Sequence, residues 1–188
     1  MPVTRVVPEA EGLAAGTWTI DPSHADVGFV GRHLGLTKIR GRFVGVSGTV
    51  VVADDPAAST VEVSIDMATV SSGDQARDDH LRSSDFFDVE EHPYATFRST
   101  SITIDRSHAE LVGDLTIKSI TCPVRLEVEY AGHVIDPWRN ERAVLSAHGR
   151  INREEWGLTW NMFLEAGGLL VSKEILIEVE VELTKQPD

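Results

Sequence analysis

The chain has 188 residues, 41% of them apolar, and 17 Lys and Arg against 30 Asp and Glu leave it at −13 at pH 7. A chain of this length suits one domain that buries about two-thirds of its unfolded surface without a disulfide or metal staple. The acidic balance argues against nucleic-acid binding and against attachment driven by anionic lipid headgroups, and the one cysteine, Cys122, excludes an intrachain disulfide or a cysteine zinc cluster.

Residues 1–16 are small, acidic and aperiodic, and read as a mobile tail before a single domain at 17–188. With Pro8, Glu9 and Glu11 they lack the apolar centre of a secretory signal, and no run of about 18 apolar residues follows. The expectation is a cytoplasmic protein with no membrane span.

In chain order, strands are expected at 17–20, 26–33, 36–44 and 46–53, separated by turn chemistry at Gly45–Gly48 and Asp54-Asp55-Pro56. Val61, Val63, Ile65 and Met67 alternate with Glu62, Ser64 and Asp66, which places an apolar row on one face of a strand. Ser72 to Asp85 breaks the texture and suits one or two helical turns capped by Ser71, Ser72 or Asp74. Strands resume at 94–104 and 109–117, then in the alternation of Val124, Leu126, Val128 and Tyr130. Turns are expected at Gly132-His133 and Asp136-Pro137, with a strand at 143–151. The clearest strand comes last, where Ile175, Ile177, Val179, Val181 and Leu183 alternate with a row that is acidic from Glu178. Half-wet strands of this kind favour an antiparallel sheet, closed as a barrel or folded as a sandwich.

No nucleophile elbow, phosphate loop or zinc-protease motif occurs, and Gly41, Gly45 and Gly48 do not open a helix. Asp78, Asp79 and His80, with His92 further on, offer metal-ligand chemistry, but adjacent residues on a helical turn do not share a face, so no metal is expected. If Val27 and Phe29 point inward, period two sends Gly31 and His33 inward as well. His33 then reads either as a satisfied barrel histidine or as a polar contact for a ligand headgroup. Cys122 has no basic or helical neighbour to stabilise a thiolate and reads as inert. Trp156 and Trp160 are four apart, an even spacing that in a strand places both on one face with Leu158 and Met162. On that reading Trp160 lines a cavity and Trp156 anchors its mouth, while Gly167-Gly168 lets the segment flex; the bland alternative has both rings filling core volume.

Seven segments follow one another in the chain: Asp21-Pro22-Ser23-His24, Arg32-His33-Leu34, Ile39-Arg40-Gly41-Arg42-Phe43, His80-Leu81-Arg82-Ser83-Ser84-Asp85-Phe86-Phe87, His92-Pro93-Tyr94, Gly113-Asp114-Leu115-Thr116 and Asn152-Arg153-Glu154-Glu155-Trp156-Gly157. Their order resembles the YceI-like family of lipocalin-like proteins. The resemblance implies an all-β, closed eight-stranded antiparallel barrel with one or two short helical segments, often a homodimer, holding an isoprenoid lipid such as a polyprenyl chain or an isoprenoid quinone. The chain departs from the family's usual pattern at Trp156 and at His24-Ala25. The ligand-contacting residues expected on this reading are Val27, Phe29, His33, Phe43, Leu81, Phe86, Phe87, Phe97, Leu115, Trp156, Trp160 and Met162. No catalytic residue and no cofactor besides the lipid are expected. Two rival readings remain open: an enzyme on a lipid-like substrate using His24, His33 or His80 as base, and a stress-response structural protein with a solid interior.

Overall fold

The computed structural model describes residues 12–165 and 167–187. Ten strands and one α-helix follow one another: β1 (Gly16–His33), β2 (Thr37–Phe43), β3 (Val46–Val52), β4 (Thr60–Asp66), β5 (Val70–Ser71), α1 (Gln75–Arg82), β6 (Tyr94–Asp105), β7 (His108–Ile117), β8 (Ile120–Ile135), β9 (Glu141–Asn152) and β10 (Glu174–Lys185). All pairings are antiparallel. The order β1-β3-β4-β6-β7-β8-β9-β10 closes on itself through β10 and β1, giving an eight-stranded barrel. β2 pairs with the second half of β1 and carries β5 on its other edge, extending the wall at one end.

The expected rows do face inward. Val27, Phe29, Gly31 and His33 border the barrel's interior cavity, as do Val61, Val63, Ile65 and Met67, and every apolar member of the last strand's inner row. Phe29 lies flat over Gly41, its pair on β2; a Cβ there would sit 2.2 Å from the Phe29 ring. Phe97 covers Gly113 in the same way, with a Cβ 2.3 Å from its ring. These glycines give the rings the room to lie along the wall.

Several boundaries differ from expectation. The segments 17–20 and 26–33 are one strand, with a register shift against β10 between Ile20 and Ala25. Pro22 falls in that irregularity, where its missing N–H breaks no ladder bond. Gly132 is no turn: with φ of +135° it makes an irregularity inside β8, which runs on to Ile135. Pro123 is tolerated in β8 because β9 joins that strand only from Glu127 onward. Asp74 is the cap of α1, its carboxylate accepting from the Arg77 N–H.

The segment around the two tryptophans is not a strand. Arg153–Trp156 forms a 3-10 helix, started by Asn152 accepting from the Glu154 N–H and ended by Gly157 at φ 72°. Parity arguments therefore fail between Arg153 and the start of β10. The first eleven residues of the expected tail lie outside the described residues. Its last residues belong to the domain: Leu13 packs on the core, and the Ala14 carbonyl accepts from the Trp18 indole at 2.9 Å.

Trp18, Ile20, Ala25, Val46, Ala143 and Leu183 form one buried cluster, in the part of the barrel where β1 begins. The larger cluster, with Phe43, Met67, Val70, Phe87, Phe97, Trp156 and Leu158, lies towards the other end, where β2, β5, α1 and the 153–173 segment gather.

Candidate functional site

The two clusters do not fill the interior. A cavity of about 820 Å³ runs between them, with walls drawn from the barrel strands, α1, the 86–87 turn and the 158–171 segment. Its volume falls within the roughly 300–1,000 Å³ typical of small-molecule sites. The walls are mainly Val, Leu, Ile and Phe, and among the described residues that border it there is no Asp or Glu. A solid-core barrel is thereby set aside.

Of the residues expected to face a ligand, Val27, Phe29, His33, Phe43, Leu81, Phe86, Phe87, Phe97, Leu115 and Trp160 border this cavity. Trp156 and Met162 do not. Trp156 is 0% exposed, and its indole donates to the Leu115 carbonyl at 2.9 Å, so it is core rather than mouth. Met162 is 56% exposed. Asn161 pins the chain to Val171 through both its amide nitrogen and its side-chain oxygen, and the next residue turns out to solvent.

Aromatic groups gather where β1 ends. Trp160 meets His80 edge-on at 4.5 Å between centroids, and Phe86 lies 5.0 Å from His80 and 5.5 Å from Trp160. Phe43 bridges Phe29 and Phe87 at 5.7 and 5.5 Å. The His80 Nε2 lies 2.9 Å from the Asp85 carboxylate. Asp78, by contrast, is buried and accepts from the Ser72 backbone and hydroxyl, while Asp79 accepts from Gln75 and Arg82. The three adjacent residues thus diverge, as helical spacing requires. Cys122 is half-buried, its sulfur 3.6 Å from the Glu155 carbonyl.

Three features went unmarked in the sequence. Arg153, only 4% exposed, borders the cavity. The tight turn after β1 exposes Leu34 and Leu36, and the neighbouring 162–170 excursion exposes Met162 and Phe163; the two are joined by the Leu34 N–H donating to the Leu170 carbonyl at 2.9 Å. Residues 27–53 contain Arg32, Lys38, Arg40 and Arg42 and no acid. That last signal was legible, since three of these cations alternate along β2.

At the opposite end of the barrel, Arg142 holds three carboxylates. It donates to Asp21 at 2.6 Å, Asp136 at 2.8 Å and Glu182 at 3.3 Å. Asp21, His24 and Glu182 are close enough to hold a metal ion, yet Arg142 already supplies the positive charge there. His24 is accordingly far from the cavity, bonded to Asp21 at 3.1 Å. The Arg142 hydrogen bond holds Asp136 down from 3.8 to about 2, and it depresses Asp21 further still. Groups whose pKa is lowered by folding stabilise the fold above their unfolded pKa and lose that contribution as pH falls. For Asp136 the loss spans about pH 4 to 2. Arg142→Met is therefore expected to lower the urea midpoint at pH 7, and the gap to wild type should narrow through that window. A gap independent of pH would assign Arg142 to packing alone.

Comparison with known proteins decides the family. A profile of the YceI-like domain matches residues 18–183. The chain belongs to the YceI-like family. It is 35% identical over 174 residues to protein YceI of Escherichia coli O157:H7, covering 91% of this chain and 89% of that one. The crystal structure of BcnA from Burkholderia cenocepacia superposes with a TM-score of 0.75 at 22% identity, covering 87% of this chain and 98% of the other. A polyisoprenoid-binding domain from Saccharophagus degradans superposes at 0.65 with 15% identity, covering 90% and 98%. Within this YceI-like chain the barrel matches those two folds, and the resemblance first carried by the His80–Phe87 and Gly113–Thr116 segments rests on nearly the whole domain.

Proposed function

We propose that this protein binds the apolar tail of an isoprenoid lipid inside its barrel and carries it, exchanging it with a membrane through the mouth beside His33. The cavity is the observation that carries this reading. An apolar tail gains about 25 cal/mol for each Å² removed from water, so burial by itself is enough to carry a lipid through an aqueous compartment. Membership of the YceI-like family supports it, as does the likeness in fold to a domain described as polyisoprenoid-binding. Mass spectrometry of the protein purified under native conditions, followed by lipid extraction, tests it. A stoichiometric isoprenoid is the expected result, and a barrel that neither retains nor takes up any prenyl lipid would overturn the proposal.

The rim supports exchange in particular. Leu36 is 80% and Phe163 89% exposed, beside the end of the cavity that His33, Leu170 and Val171 border. Leu34 sits at φ 57°, in the left-handed region that a glycine or asparagine would occupy with less strain. Burying a large apolar side chain in a bilayer gains about 1.5–3 kcal/mol. Arg32, Lys38 and Arg40, which form no ion pair among the described residues, stand next to this rim to meet anionic headgroups. The net charge of −13 thus hides a basic face, and the exclusion of lipid surfaces drawn from composition does not extend to this end. Leu36→Ser with Phe163→Ser is expected to slow transfer of a fluorescent prenyl lipid between vesicles about tenfold or more, with solution binding unchanged. Sedimentation of both forms separates this from a dimer contact: a wild-type dimer that the double variant breaks would reassign the rim to a second copy.

A further inference from the structure

Among the described residues Arg153, 4% exposed, is a cation without an ion-pair partner. Its Nε donates to the Ser172 carbonyl at 2.9 Å, one Nη donates to the Leu158 carbonyl, and the guanidinium carbon stands 6.0 Å from the centroid of the Phe86 ring. The other terminal nitrogen, Nη2, has no hydrogen-bond partner among the described residues. The adjacent acid forms no ion pair with it, because the Glu154 carboxylate is turned to Lys173 at 2.9 Å. Burial lowers the pKa of this guanidinium, the direction expected when a charge is removed from water, and the nearby Glu154 charge offsets only part of that. Burying a charge costs free energy unless it is paired and hydrogen-bonded, so an arginine left in this state marks a place for a partner.

The surroundings say what kind of partner. Arg77, His33 and His80 border the same cavity in the region where β1 ends and α1 packs, and no described carboxylate borders it anywhere. In so acidic a chain, the wall carries none of the described Asp or Glu residues and two arginines. A neutral hydroxyl or ketone would give Nη2 one ordinary acceptor. An oxyanion gives a charge-assisted bond, roughly twice as strong as a neutral one, and neutralises the guanidinium as well. We propose that Arg153 receives the headgroup, and that the ligand is a long apolar chain ending in an oxyanion, either a carboxylate or a phosphate. This rests on the lipid-binding reading and specifies the end of the molecule that the apolar walls leave undefined.

Two matched pairs test it: geranylgeranyl phosphate against geranylgeraniol, and palmitate against hexadecanol, each displacing Nile red at low ionic strength. In the wild-type protein each anion is expected to bind at least tenfold more tightly than its alcohol, and the pair with the larger ratio identifies the oxyanion. Arg153→Met should bring the anions down to the affinity of their alcohols while the alcohols change less than threefold. Arg153→Lys, which keeps the charge, should retain part of the preference. Equal binding of anion and alcohol by the wild type would overturn the headgroup assignment and leave tail binding intact. Failure of all four lipids to displace the dye would overturn both. Because Arg153 also holds the Ser172 and Leu158 carbonyls, the Met variant needs a melting curve beside it; should it not fold, the wild-type ratios and the Lys variant decide the question.

Discussion

Trp156→Ala should lower the unfolding free energy by about 3–5 kcal/mol, the usual cost of truncating a large buried aromatic. Trp156 is 0% exposed, and losing its indole also strips the Leu115 carbonyl of its donor, which by itself costs about 1–3 kcal/mol where that group stays dry. Trp160→Ala should behave differently. That ring is half-buried and already borders open volume, so its removal enlarges an existing cavity instead of creating one. Stability of the empty protein should fall much less, while affinity for a fluorescent isoprenoid quinone analogue weakens through lost contact. Urea unfolding and a titration on both variants read the contrast. A large stability loss for Trp160→Ala with unchanged binding would move that residue from the wall into the core.

Val128→Trp should empty the barrel of ligand without unfolding it. Val128 borders the cavity and is flanked on its two neighbouring strands by Ala109 and Ala147, so a large ring has space to turn inward. Overpacking a filled core costs about 1–3 kcal/mol, but a side chain that enters a void escapes most of that. A tail denied about 110 Å² of wall contact loses ~2.7 kcal/mol at 25 cal/mol per Å², or ~100-fold in affinity. The expected result is an unchanged or higher urea midpoint together with a dissociation constant raised by that factor. A variant that binds as tightly as wild type would show that the tail does not reach the middle of the barrel.

The strands were legible because a half-wet strand must alternate. Ile175 to Leu183 and Val61 to Met67 each carry an apolar row at period two, and both rows reach the cavity as their spacing required. Asp74 as the helix cap, and the divergence of Asp78, Asp79 and His80, were equally open to local reasoning, because both depend on bonds within one or two turns. The same parity argument misled at Trp156 and Met162. Asn152 and Gly157 convert that stretch to a 3-10 turn, and period two has no meaning there.

What no local pattern could give was which residues meet from distant parts of the chain. The Arg142 cluster joins Asp21 of β1, Glu182 of β10 and Asp136 of the β8–β9 loop, and Arg153 meets Phe86 and Ser172 only because two long connections pack against one end of the barrel. Composition likewise averages charge over the whole chain, whereas the closed barrel sorts it, with the described acids kept from the cavity wall and Arg32, Lys38 and Arg40 near the end of β1 that His33 closes. The sequence by itself determined which faces of the strands are apolar, because side-chain alternation is a property of the strand alone. Only closure of β10 on β1 decided that those faces enclose space: the ring of eight strands holds the walls apart, and the volume left unfilled depends on its circumference and on the side chains from every strand together.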